Sequence, residues 1–76
     1  MNNSRRKEIK NVIEQLEEIQ SQIESIRDDE QDCLDNIPES LQGTERYETS
    51  EAAVENLDSA VDLIEELISN LSESAV

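Results

Sequence analysis

Apolar residues recur along the first half of the chain with a period of seven. Ile9, Leu16, Ile23 and Ile37 fall in one row, which Glu30 interrupts, and Val12, Ile19, Ile26 and Cys33 form a second row three residues on. Two such rows are the a and d positions of a heptad repeat, so the spacing predicts an amphipathic helix over about 5–35. At 1.5 Å per residue it would be roughly 46 Å long. Ile13 and Leu34 lie beside the seam and widen it. Ser4 is the expected N-cap, because its hydroxyl can accept from a free N–H of the first turn.

The stretch DNIPESLQGTER breaks the pattern. Pro38 disfavours helical geometry at Ile37 and suits the start of a new short helix. Gly43 is a natural helix stop, and Thr44 can cap a second helix. A single helical turn is expected at 38–42, with Leu41 packing back onto the end of the molecule.

The second half repeats the heptad logic. Tyr47, Val54, Val61, Ile68 and Ala75 are seven apart, with Leu57, Ile64 and Leu71 three residues later and Ala53, Ala60 and Leu67 as a flanking row. This predicts a second helix over about 45–72 with a face wider than a two-stranded seam. Leu63 falls outside that face. The expected fold is all-α: an antiparallel two-helix hairpin forming one domain over 1–76, with 1–4 and 73–76 frayed.

A lone hairpin leaves apolar surface in water, which favours association. The sequence therefore predicts a homodimer or higher oligomer built as a helical bundle. Its expected core is Ile9, Val12, Leu16, Ile19, Ile23, Ile26, Cys33, Val54, Leu57, Val61, Ile64, Ile68 and Leu71. At a d position, Cys33 reads as a buried, inert thiol.

Charge changes the picture more than size does. The 76 residues carry 20 acids and six basic residues, for a formal net charge of -14. Four of the cations, Arg5, Arg6, Lys7 and Lys10, lie in the first ten residues, and the remainder of the chain holds 19 acids against Arg27 and Arg46. Such acidity disfavours direct contact with nucleic acid or an anionic membrane and favours basic partners. No run approaches the roughly 18 apolar residues of a membrane span, and the basic start lacks the apolar run of a signal peptide. A cytoplasmic location is expected.

The absence of histidine removes Ser-His-Asp and Cys-His nucleophilic arrangements. A single glycine rules out a glycine-rich phosphate loop, and one cysteine rules out an intrachain disulfide. Asp28, Glu30, Asp32, Asn36 and Glu39 match positions of a calcium-binding loop. However, Cys33 stands where that loop needs glycine, Asp35 where an apolar residue is usual, and the heptad runs through the segment. It reads as helix. Glu14, Glu17, Glu18 and Glu24 lie off the seam, without the histidines of a di-metal bundle site. No catalytic residue, metal site or cofactor is expected, and the chain reads as a non-enzyme.

Binding remains. Glu14, Glu17, Glu18, Glu24, Asp28, Asp29, Asp32, Asp35, Glu55, Asp58, Asp62, Glu65 and Glu66 form the candidate acidic surface for a basic protein groove. Carboxylates three or four residues apart on a helix stand about 5–6 Å apart, so rows of them can imitate a phosphate array. The basic start opposes the helix macrodipole, so local helix stability does not explain it. It serves either as counter-charge or as part of an anion site. If an antiparallel dimer brought Arg5, Arg6, Lys7 and Lys10 near the partner's Arg46 and Tyr47, the group would suit a nucleotide. A structural oligomerisation module is the third reading.

The segments DNIPESLQGTERYE and AAVENLDSAVDLIEELI carry a resemblance. The chain resembles small acidic helical-hairpin proteins from phages and prophages of Gram-positive bacteria, most specifically over residues 35–48. Ile37 and Thr44 stand where that group's pattern has Leu and Ser. The resemblance implies a phage context, in which a small non-enzymatic protein antagonises a host defence factor or sequesters a nucleotide immune signal.

Overall fold

A computed structural model describes residues 1–76 and contains two long helices, α1 (Asn3–Asp35) and α2 (Glu45–Ser74), joined by a connection that holds one 3₁₀ turn at Glu39–Leu41. The helices pack antiparallel into a rod of 59 × 15 × 12 Å. Two helices give one layer of contact and little depth, so only Leu34 and Val54 are buried.

The helix starts follow capping chemistry. At α1 the Asn2 carboxamide oxygen accepts from the Arg5 N–H at 2.8 Å, so Asn2 is the N-cap and Ser4 lies inside the helix. The expectation of a Ser4 cap is corrected. Both residues are good caps, and the earlier one wins because the helix gains another backbone bond, from the Arg6 N–H to the Asn2 carbonyl. At α2 Thr44 is the cap, as expected. Its Oγ1 accepts from the Tyr47 N–H at 3.3 Å and donates to the Leu41 carbonyl at 2.7 Å. Gly43 takes φ +93°, a left-handed conformation that favours glycine. Pro38 precedes the 3₁₀ turn, and Leu41 stays half out in water rather than packing firmly back.

The seam between the helices differs from the expected one in one respect. On α2 the inward rows are Tyr47, Val54, Val61, Ile68 and Ala75 with Ser50, Leu57, Ile64 and Leu71, all shielded wholly or in part. On α1 the row of Ile9, Leu16, Ile23, Glu30 and Ile37 faces α2 as expected. Its companion row is Ile13, Gln20, Arg27 and Leu34, four residues on, not Val12, Ile19, Ile26 and Cys33. Val12, Ile19 and Ile26 are 44, 45 and 56 % exposed, and Cys33 is exposed. The reading of Cys33 as a buried thiol is therefore corrected for the hairpin.

The reason lies in α1 itself, which carries two apolar rows and a third that is half apolar, while one neighbour can cover two. The polar members of the chosen row find partners across the seam. Gln20 donates to the Val61 carbonyl at 3.2 Å and to Glu65 at 2.8 Å, and Arg27 donates to Asp58 at 3.0 Å. Met1, Leu41, Leu63, Leu67 and Val76 are the other large apolar residues left exposed.

Candidate binding surfaces

The cross-seam bonds orient the hairpin's two broad sides. Gln20 and Arg27 belong to one edge row of α1, and they reach Glu65 and Asp58, seven apart on α2. These four therefore lie on the same side of the seam. Glu17, Glu24, Asp28 and Asp35 come next around α1, and Glu51, Glu55 and Asp62 next around α2, because residues three, four and seven apart share a helix face. This is the acidic side. Two rows of carboxylates flank a polar seam, at the helix separation of roughly 8–10 Å.

The acidic side is largely unneutralised. Arg27 is the cation in its middle, bonding Asp28 at 3.1 Å and Asp58 at 3.0 Å, while Lys10, seven before Glu17, and Lys7, seven before Glu14, stand on the same face at the start of α1. The two Arg27 bonds are the only ion pairs, so 18 of the 20 acids have no cationic partner. Asp28 most strongly, and then Asp58, hold the Arg27 guanidinium proton more tightly than usual, against a partly opposing desolvation. Every candidate acidic residue is exposed except Glu24, which is half-buried against the seam. Glu18 and Glu66 sit toward the outer backs of their helices, and Asp29 lies on the opposite shoulder of α1. The surface is thus narrower than the sequence suggested.

The other broad side carries the rows left over. Val12, Ile19, Ile26 and Cys33 of α1 and Ala53, Ala60 and Leu67 of α2 lie across the seam from the acidic side. Their outer borders are Gln15 and Gln22 on α1 and Thr49, Asn56, Leu63 and Asn70 on α2, with Glu8 and Asp29 at the ends of the α1 border. This side is apolar and poor in carboxylate.

The basic residues divide between the two ends of the rod. Arg6 donates from Nε and Nη2 to the Val76 carbonyl at 3.2 and 3.0 Å, and from Nη1 to Asn3 at 3.1 Å. It thereby ties the start of α1 to the end of α2. Arg6, Lys7 and Lys10 line a shallow dent with Asn3 and Ala75. Arg46 and half-buried Tyr47 lie at the opposite end, in a cleft of about 430 Å³ lined also by Asn36, Ile37, Pro38, Leu41 and Thr44. One hairpin therefore does not bring the two halves of the candidate nucleotide site together.

The segment resembling a calcium loop is continuous helix through Asp35. The Asn36 side chain donates to the Asp32 carbonyl at 2.8 Å and closes the helix end. No group of three or more potential metal-ligating side chains converges anywhere in the chain, and no helix is long and apolar enough to cross a membrane.

Neither protein-family models, curated proteins nor solved structures give a match to this chain.

Proposed function

We propose that this protein is a non-enzymatic binding protein whose acidic side docks in a basic protein groove. One observation carries the reading: exposed carboxylates gather on one broad side of the two-helix rod, with Arg27 the cation along its middle and Lys7 and Lys10 confined to the start of α1. A surface serving only for solubility would need no such segregation, since charge spread over both sides solvates equally well. Two antiparallel rows of carboxylates present a regular negative array. That array is the electrostatic counterpart of a groove that binds a phosphate backbone. In the phage setting that the turn sequence suggests, the partner is a nucleic-acid-binding host factor, and occupying its groove blocks it. A nucleotide-sequestering role requires Arg46 and Tyr47 to meet the basic end of another copy, which one hairpin does not supply.

The test is capture of nucleic-acid-binding proteins from a Gram-positive cell extract, by the wild type and by Glu14→Gln/Glu17→Gln/Glu55→Gln/Asp62→Asn. All four substituted residues are exposed, so the fold is retained. Capture should weaken steeply with salt and fail with the quadruple variant. Capture that the variant performs equally well would sink the proposal.

A further inference from the structure

The apolar side is large and uncovered, and three observations point to one occupant. The first is area. A compact 8.6 kDa protein exposes about 4,700 Å² by the usual mass scaling, whereas this chain exposes 5717 Å². The excess of about 1,000 Å² is close to what each partner contributes to a stable protein interface.

The second is charge. The chain has a formal net charge of -14, so a second copy is repelled from most approaches. The apolar side is the exception, because amides and hydroxyls border most of it where the opposite side has carboxylates. A basic partner would find only Glu8 and Asp29, at the ends of the α1 border, to pair with there, whereas another copy of this acidic chain can approach.

The third is symmetry. The α1 row Val12, Ile19, Ile26 and Cys33 has its midpoint between Ile19 and Ile26. The α2 row Ala53, Ala60 and Leu67 has its midpoint at Ala60. The bonds from Gln20 to Val61 and from Arg27 to Asp58 put these midpoints at the same level of the rod. A twofold axis crossing the rod at that level superposes both rows on themselves.

We infer that two hairpins stack through their apolar sides about this axis, end over end, as an antiparallel four-helix bundle. Val12 then meets the partner's Cys33, and Ile19 meets the partner's Ile26. Ala53 meets the partner's Leu67, a small residue against a large one, while Ala60 meets its own copy and lets the two α2 helices approach. The stacking also opposes unlike ends. The start of each chain carries Arg5, Arg6, Lys7 and Lys10, whereas residues 28–39 carry six acids and no cation. The basic end of one hairpin lies over the acidic end of the other, while stacking with the turns together would set acid upon acid. The acidic sides face outward in the dimer, so this inference does not rest on the acidic-groove reading, and the same stacking carries Arg46 and Tyr47 toward the partner's basic end.

The single native thiol supplies the test. In the stacked dimer the two Cys33 side chains lie 21 positions apart along antiparallel helices, roughly 30 Å, so the oxidised wild type should not cross-link. Val12→Cys puts a second thiol opposite the partner's Cys33. Mild oxidation should convert it to a covalent dimer of twice the 8.6 kDa chain mass. Val12→Cys/Cys33→Ser should not cross-link, because its thiols are as far apart as those of the wild type. Light scattering should give a dimer for the wild type at micromolar concentration, and a monomer with unchanged helical circular dichroism for Ile19→Asp/Ile26→Asp. A wild-type monomer, whether the face stays bare or awaits a different partner, would overturn the inference. So would wild-type cross-linking through Cys33, or a dimer in which Val12→Cys fails to cross-link.

Discussion

Leu34→Ala separates the two heptad registers that α1 could have used. Leu34 is 8 % exposed, one of the two most buried side chains, while its neighbour Cys33 lies in water. The substitution removes three carbons, about 2.4 kcal/mol of transfer free energy at about 0.8 kcal/mol per methylene. The cavity term is small, because a single seam near the end of a hairpin can close over a lost side chain. About 2–3 kcal/mol of destabilisation is expected, the low end of the range for buried leucines. A domain of this size has on the order of 4–11 kcal/mol in total, so the loss is a large share. The assay is urea unfolding followed by helical circular dichroism at fixed protein concentration. With a slope of about 1 kcal/mol per molar urea, the midpoint should fall by about 2–3 M. Cys33→Ala, measured beside it at a dilution where the hairpin is monomeric and leaves the thiol exposed, should shift the midpoint by much less. Equal effects, or a larger one for Cys33→Ala, would mean that the d row faces α2 and that the seam is assigned wrongly.

Three further outcomes rest on local chemistry. Gly43→Ala should cost about 1 kcal/mol in the same assay: the added methyl meets nothing within 4 Å, and the penalty is that of a side chain at φ +93°. Thr44→Ala should cost about 1 kcal/mol through the lost N-cap, and Asn2→Ala a similar or smaller amount, whereas Ser4→Ala should be nearly neutral; a large effect at Ser4 would reverse the cap assignment. Raising sodium chloride from low to physiological strength should raise the urea midpoint, because 18 unpaired carboxylates repel one another more than the two ion pairs attract; a falling midpoint would contradict the charge account.

Much of this fold was legible in the sequence because it rests on local signals. Pro38, Gly43 and Thr44 each perform a backbone task that few other residues manage as well, and they place the connection to within a residue or two. The α2 rows were legible because both are apolar along most of their length. The α1 seam was not, because half of its second row is polar. Gln20 and Arg27 look like solvent positions until Val61, Glu65 and Asp58 appear opposite them. The apolar d row then took the place they actually hold. The candidate acidic residues are exposed apart from Glu24, but their division between sides depends on that seam. Asp29 and Glu18 consequently leave the acidic side, and the Arg6 tie to Val76 depends on how far each helix runs.

The rate at which Cys33 reacts with a small neutral alkylating reagent, measured as the native protein is diluted, tests both the seam and the covered face in one titration. The thiol should react fast at high dilution, where the hairpin leaves it exposed, and slow as the concentration rises and the partner's Val12 covers it. A slow rate at every concentration would bury Cys33 within the hairpin, and a fast rate throughout would leave the apolar side bare.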